Sequence, residues 1–164
     1  MQPFTVTTTI DKPREEVFEY LADIANHAEF EDHYKVDCHL TREDSYGTGA
    51  GARYRITAPM RRFAWADFTL SEVQPPFRIV ERGRGGKYNR IKMLGAYTLS
   101  DGPSGTTKVE YTLETLPALR SDRVLEAIGG RAWTRRQAAR ALRRLRTILE
   151  ENRDRGHRPS VAAR

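Results

Sequence analysis

The sequence predicts an α+β domain in which a curved antiparallel sheet of about seven strands wraps around a long C-terminal helix, with two short helices after the first strand. Three observations carry that prediction. Apolar and polar residues alternate through most of residues 34–116, as they do in strands with one buried face. Turn-forming segments (Pro75-Pro76, Gly85-Gly86, and the run from Ser100 to Gly105) separate the alternating stretches. The chain then ends in an amphipathic helix, the one large element able to cover the inner face of the sheet.

Each element has its own warrant. In residues 4–10, Phe4, Val6, Thr8 and Ile10 share one face of a β-branched strand. Pro13 suits the first turn of a helix, and Glu15 and Glu16 complement its positive end. Val17, Phe18, Leu21, Ile24 and Ala25 give residues 13–25 a helical apolar face, and Asn26–Asp32, short and polar, adds a turn or a second short helix. Tyr34, Val36, Cys38 and Leu40 then alternate with Lys35, Asp37 and His39, and Tyr54 and Ile56 with Arg53 and Arg55. Residues 62–74 read as a strand of open phase: either Trp65, Asp67, Thr69, Ser71 and Val73 face inward, or Phe68 and Leu70 do. Strands at 77–83, 87–99 and 106–116 follow, with Met93, Tyr97, Val109, Tyr111 and Leu113 on apolar phases.

The terminal helix covers roughly 122–153. From Arg131 onward, Thr134, Ala138, Ala141, Leu142, Leu145, Ile148 and Leu149 share one side, and arginines fill the remainder. Val124, Leu125 and Ile128 sit about a quarter turn away, so the helix is expected to break at Gly129-Gly130 and bring Arg131 to the cavity. Trp133 falls on the arginine side. Residues 1–153 thus form a single domain, and 154–164, which lack an apolar face, a disordered basic tail.

Composition narrows the function. The chain has 164 residues, 38% hydrophobic and 30% charged, with one cysteine, which excludes an internal disulfide and a multi-cysteine zinc site. No apolar run reaches the ~18 residues of a membrane span, and the start MQPFTVTTTI lacks a signal-peptide layout, so a cytoplasmic protein is expected. The net charge of +6 is concentrated at the end: residues 121–164 carry 12 Lys and Arg against 5 Asp and Glu. Arg135, Arg136, Arg140, Arg143 and Arg144 form a basic helix face that either stays solvated or makes weak contact with an anionic surface.

Three segments resemble the helix-grip (SRPBCC) superfamily, which includes START-type lipid-transfer domains, Bet v 1-like plant allergens and bacterial polyketide cyclase/dehydrase-like proteins. They are TVTTTIDKPREEVFEYLADIANHAEFED, SEVQPPFRIVER and LSDGPSGTTKVEYTLETLP, and the resemblance spans about residues 4–150. It implies a hydrophobic cavity between sheet and terminal helix that holds a lipid, polyketide or aromatic metabolite, with carrier and cyclase both represented. Aromatase/cyclases of this fold typically carry a strand resembling Trp-x-Ser-Arg-Arg. Here Trp65 is followed by Ala66-Asp67-Phe68-Thr69, a departure that weakens the cyclase reading.

The expected cavity residues are Tyr54, Trp65, Asp67, Thr69, Met93, Tyr97, Tyr111 and Arg131. Asp67 is the one catalytic candidate: a carboxylate facing an apolar cavity is suited to acid–base work beside a tyrosine, and its alternative is a solvent-facing strand position. Arg131 would hold an acidic ligand group. Gly95 leaves room for a ligand or bends its strand. His27, His33, His39, Asp32, Asp37 and Cys38 cluster in sequence, but they lack metal-ligand spacing, and the histidines at 33 and 39 fall on the polar strand phase. No metal or cofactor is expected, and the protein is expected to be a monomer or homodimer.

Overall fold

The computed structural model describes residues 1–58 and 64–159, with only the backbone of Leu125 and Glu126 described. The start of the expected strand at 62–74 and the tail beyond residue 159 lie outside the described residues. Seven strands form one antiparallel sheet: β1 (Phe4–Ile10), β2 (Lys35–Leu40), β3 (Gly51–Ile56), β4 (Trp65–Gln74), β5 (Arg78–Gly85), β6 (Ile91–Asp101) and β7 (Thr107–Pro117). Their order is β1-β7-β6-β5-β4-β3-β2. Strands β2 to β7 therefore run as a meander, and β1 is brought back beside β7, where Val6 pairs with Tyr111.

Two helices fill the connection from β1 to β2: α1 (Arg14–Ala22) and α2 (Ile24–Glu31). The expected helix over 13–25 is interrupted at Asp23, whose backbone is extended and whose carboxylate accepts a hydrogen bond from Ala25 N at 3.0 Å. That cap restarts the chain as α2, the second of the two short helices expected after the first strand. The polar residues of α2 do not keep it in solvent: His27, Glu29 and Glu31 are buried, and each has a hydrogen-bond partner.

The C-terminal helix is broken as expected. After α3 (Arg120–Leu125), the turn Glu126–Gly130 has a π-type pattern with Gly129 at φ 132°, and α4 (Arg131–Glu151) follows. Gly129 serves here because an L side chain rarely adopts that φ. The break does not bury a second apolar stripe against the sheet, since Val124 and Ile128 are exposed. Ala138, Ala141, Leu142, Leu145 and Ile148 of α4 join the core with Ile10, Phe18, Leu21, Leu99 and Val109.

Residues 154–159 make polar contacts with α1, α2 and the Asp23 between them. Gly156 N donates to Glu29 O at 2.8 Å, the Arg155 guanidinium lies over Tyr20 and pairs with Glu29, and Arg158 pairs with Asp23. Polar anchoring to α2 replaces the apolar face this segment lacks. Arg144 belongs to the same network, paired with Asp32 and Asp154 and largely buried, so it is not part of a free basic face. Arg135, Arg136, Arg140 and Arg143 are exposed.

Candidate functional site

A cavity of about 420 Å³ lies between the sheet and the Glu126–Gly130 turn with the start of α4. Most of its wall is apolar: Ile56, Phe68, Ile91, Met93, Leu113 and Trp133 all contribute. Ile128, 78% exposed, is part of the wall, so the cavity meets solvent at the helix break. The buried polar side chains of the wall are Tyr34, Lys35, Tyr111 and Thr115.

Strand β2 places Lys35 there by means of a bulge. Strict alternation put Lys35 outside with His33, Asp37 and His39. In the structure Asp37 takes φ 52° and the β2–β3 register shifts between Val36 and His39. One inserted residue reverses the phase on its two sides. Cys38 and Leu40 thus keep their expected inward lean, while Lys35 turns inward and is only 4% exposed.

Its charge is met at once. Lys35 Nζ donates to Glu31 Oε2 at 2.8 Å, one helical turn earlier in the chain, and the Tyr34 hydroxyl donates to Glu31 Oε1 at 2.9 Å. The ammonium also lies 4.4 Å from the Phe68 ring centroid and 5.3 Å from that of Tyr54. Burial pushes the Lys35 pKa down, but the fields of Glu31 and Glu81 and the Glu31 hydrogen bond outweigh it, so the group is held above the ordinary lysine value. Lys35 is an ammonium in this cavity.

A second buried carboxylate stands behind the wall. Glu81 of β5, 1% exposed, accepts a hydrogen bond from the Tyr111 hydroxyl at 2.6 Å, and its Oε2 has no hydrogen-bond partner. His27 Nδ1 lies 3.9 Å from that oxygen, while Nε2 contacts Leu21 O at 2.9 Å. Gly95, directly opposite Glu81 in the ladder, makes this arrangement fit: a Cβ there would stand 2.5 Å from Glu81 Oε1 and 2.8 Å from the Tyr111 oxygen. Its small size therefore serves the Glu81–Tyr111 bond rather than a ligand. Burial, then the field of Glu81, holds the Tyr111 hydroxyl well above its ordinary pKa.

The expected site divides three ways. Met93 and Tyr111 line the cavity. Tyr54 and Tyr97 are buried one layer behind it, Tyr54 donating to Ile24 O at 3.3 Å and Tyr97 packing on Tyr111 with centroids 4.5 Å apart. Trp65, Asp67 and Thr69 lie on the outer face of β4, because Ala66, Phe68 and Leu70 take the inward phase. Asp67 makes a two-pronged contact with Arg53 on β3, at 2.6 and 3.0 Å, and Trp65, 44% exposed, stacks on His39. Asp67 is therefore no cavity acid. Two apolar side chains gain burial this way, and a carboxylate avoids losing its water.

Arg131 is also displaced from its expected role. It reaches back over the chain start, donating to Gln2 O at 3.4 Å and Pro3 O at 3.2 Å, and does not contribute to the cavity wall. Trp133, assigned to the arginine side, instead packs edge-on against Tyr34 and faces the cavity. The residues sequence reasoning missed are Tyr34, Lys35, Glu31 and Glu81. Two signals pointed to them: Glu31 and Lys35 stand four apart, and Glu81 shares the inward phase of Ile79 and Gly83. Among the described residues no cluster of three or more His, Cys, Asp or Glu is arranged to hold a metal ion. None of their helices is long and apolar enough to cross a membrane.

A curved sheet gripping a terminal helix, with an apolar cavity between them, defines a helix-grip domain. The chain belongs to the polyketide cyclase / dehydrase and lipid transport family, whose sequence model matches residues 1–150. No curated protein matches it in sequence. Solved structures share its fold at low identity. The KanY protein superposes with a TM-score of 0.73 at 14% identity, over 90% of this chain and 96% of that one. A truncated norcoclaurine synthase from Thalictrum flavum gives 0.69 at 8%, over 93% and 95%. A protein from Nitrosospira multiformis gives 0.63 at 17%, over 92% and 97%.

Proposed function

We propose that this protein binds one small, mainly apolar molecule in the cavity between the sheet and the C-terminal helix, as a carrier or binding protein. The observation that carries the reading is the cavity itself. At about 420 Å³ it falls within the ~300–1,000 Å³ typical of small-molecule sites. Its wall follows the usual construction of such sites, apolar and aromatic side chains with a few convergent polar groups. A filled core would instead have favoured a module acting only through its surface. The family's lipid-transport and polyketide descriptions fit an apolar ligand of this size. An enzymatic role resting on Asp67 is not part of the proposal, since that residue pairs with Arg53 outside the cavity.

The test uses the neutral fluorophore N-phenyl-1-naphthylamine, alongside native mass spectrometry of freshly purified protein. Saturable binding is expected, and Met93→Trp, which fills the cavity wall, should weaken it at least tenfold. Leu94→Trp, at the neighbouring exposed position, should leave it unchanged. Unsaturable binding, or equal affinity for Met93→Trp and the parent, overturns the reading.

A further inference from the structure

One end of the molecule is both apolar and basic on its outside. The ladder pairs Ile91–Pro117 and Lys92–Leu116 set the start of β6 beside the end of β7. Arg90 ties α3 to this end through Asp122, at 2.8 and 2.9 Å. Five large apolar side chains stand exposed on these adjoining segments: Tyr88, Leu116, Leu119, Val124 and Ile128. Tyr88 is 88% exposed, and Ile128 is also part of the cavity wall, so the patch reaches the cavity's opening. Single exposed apolar side chains are ordinary, whereas several gathered at one end and bordered by charge mark a contact surface.

The border is positive. Residues 82–100 carry five Lys and Arg and no Asp or Glu. Arg84 lies opposite Lys92 in the ladder and Lys92 opposite Leu116, so two like charges and an apolar group share one outer row. Like charges so placed repel, and a counter-charge from outside relieves that cost. The nearby carboxylates are engaged: Asp67, opposite Arg84, is held by Arg53, and Asp122 by Arg90. Arg120 and Arg123 flank Asp122 in sequence and are exposed. Among the described residues, none of Arg84, Lys92, Arg120 and Arg123 has an ion-pair partner.

The occupant must therefore be apolar within and negative at its surface. A second copy of the chain fits poorly, because it would bring Arg120 and Arg123 against the same arginines. The apolar side chains project from a turn and a short helix rather than line a groove, which suits a fluid layer better than a folded partner. A bilayer with anionic headgroups meets both demands.

We propose that this end docks on a membrane surface rich in anionic lipid. Tyr88, Leu119, Val124 and Ile128 enter the headgroup layer, and Arg84, Lys92, Arg120 and Arg123 meet its negative charges. The surface is distinct from the exposed arginines of α4. It stands whether or not the cavity holds a ligand; where it does, docking turns the opening at Ile128 toward the lipid.

Vesicle flotation of the full chain tests it. Phosphatidylcholine vesicles with about 30 mol% phosphatidylserine should bind the protein at about 0.05 M salt. Vesicles of phosphatidylcholine alone should bind it about tenfold or more weakly, and raising the salt to about 0.5 M should release it from both. Leu119→Ser/Val124→Ser and Arg120→Glu/Arg123→Glu should each weaken binding to the anionic vesicles about tenfold or more. Neither pair contributes to the cavity wall, so both variants should keep the parent's affinity for N-phenyl-1-naphthylamine. Arg136→Glu/Arg143→Glu, on the exposed face of α4, should change vesicle binding by less than about threefold. Circular dichroism establishes that each variant folds. Absence of binding to anionic vesicles at low salt by the folded parent overturns the proposal. So does undiminished binding in the Leu119/Val124 and Arg120/Arg123 variants, or a loss confined to the α4 variant. Failure of the parent to bind naphthylamine would end the ligand reading alone and leave docking standing.

Discussion

Two cation–carboxylate pairs sit on opposite faces of the same sheet. Lys35–Glu31 is at the cavity wall, 2.8 Å apart, with both side chains almost wholly buried. Arg53–Asp67 is on the outer face, 2.6 Å apart, with about half of the arginine in water. Similar chemistry and similar distance conceal different consequences. Outside, water already solvates both charges, so pairing them adds little. Inside, each charge is tolerable only because of the other. Contact distance alone does not rank such pairs; their surroundings do.

The comparison breaks most directly under mutation. Lys35→Met should cost about 3–5 kcal/mol in urea unfolding, because it strands the Glu31 carboxylate in the interior. Arg53→Met should cost less than about 1 kcal/mol. Removing both partners in Lys35→Met/Glu31→Leu should recover most of the loss, and no recovery would mean that packing rather than charge sets the cost. The inner pair also predicts its own pH window. The folded-state pKa of Lys35 is raised, so its contribution is complete below the free-lysine value of 10.5 and is lost only as the pH climbs through the higher folded value.

A smaller effect is expected where the inner face is tight. Gly95→Ala drives a methyl group against Glu81 and the Tyr111 hydroxyl, and should cost about 1–3 kcal/mol, read as a lowered Tm. Thr69→Ala on the outer face should stay within about 0.5 kcal/mol. Equal effects at both positions would show that the two faces do not differ in packing tolerance.

The smallest effect leaves stability untouched and reads a single group. Burial pushes the Cys38 thiol up to about 11, from an ordinary 9.0. At pH 8 its thiolate population falls roughly 100-fold, and iodoacetamide alkylation of the native protein should slow accordingly. Alkylation at the rate of an ordinary thiol would place Cys38 outside the inner environment it shares with Lys35.

The sequence by itself determined the strand and helix inventory, the antiparallel sheet, the helix break at Gly129-Gly130 and the inward phase of Tyr54, Tyr97 and Tyr111. These are legible because periodicity and glycine punctuation are local properties of the chain. Only the tertiary structure decided the phase of β4, the inward turn of Lys35 and the placement of Arg131. In β4 both faces carried large apolar groups, and Arg53 on the neighbouring strand drew Asp67 outward. At Lys35 a single bulge reversed the alternation on which the sequence reading relied. Arg131 was claimed by backbone carbonyls of Gln2 and Pro3, more than a hundred residues away in sequence. A charged side chain goes where its partners are, and those partners come from elements that meet only when the chain has folded.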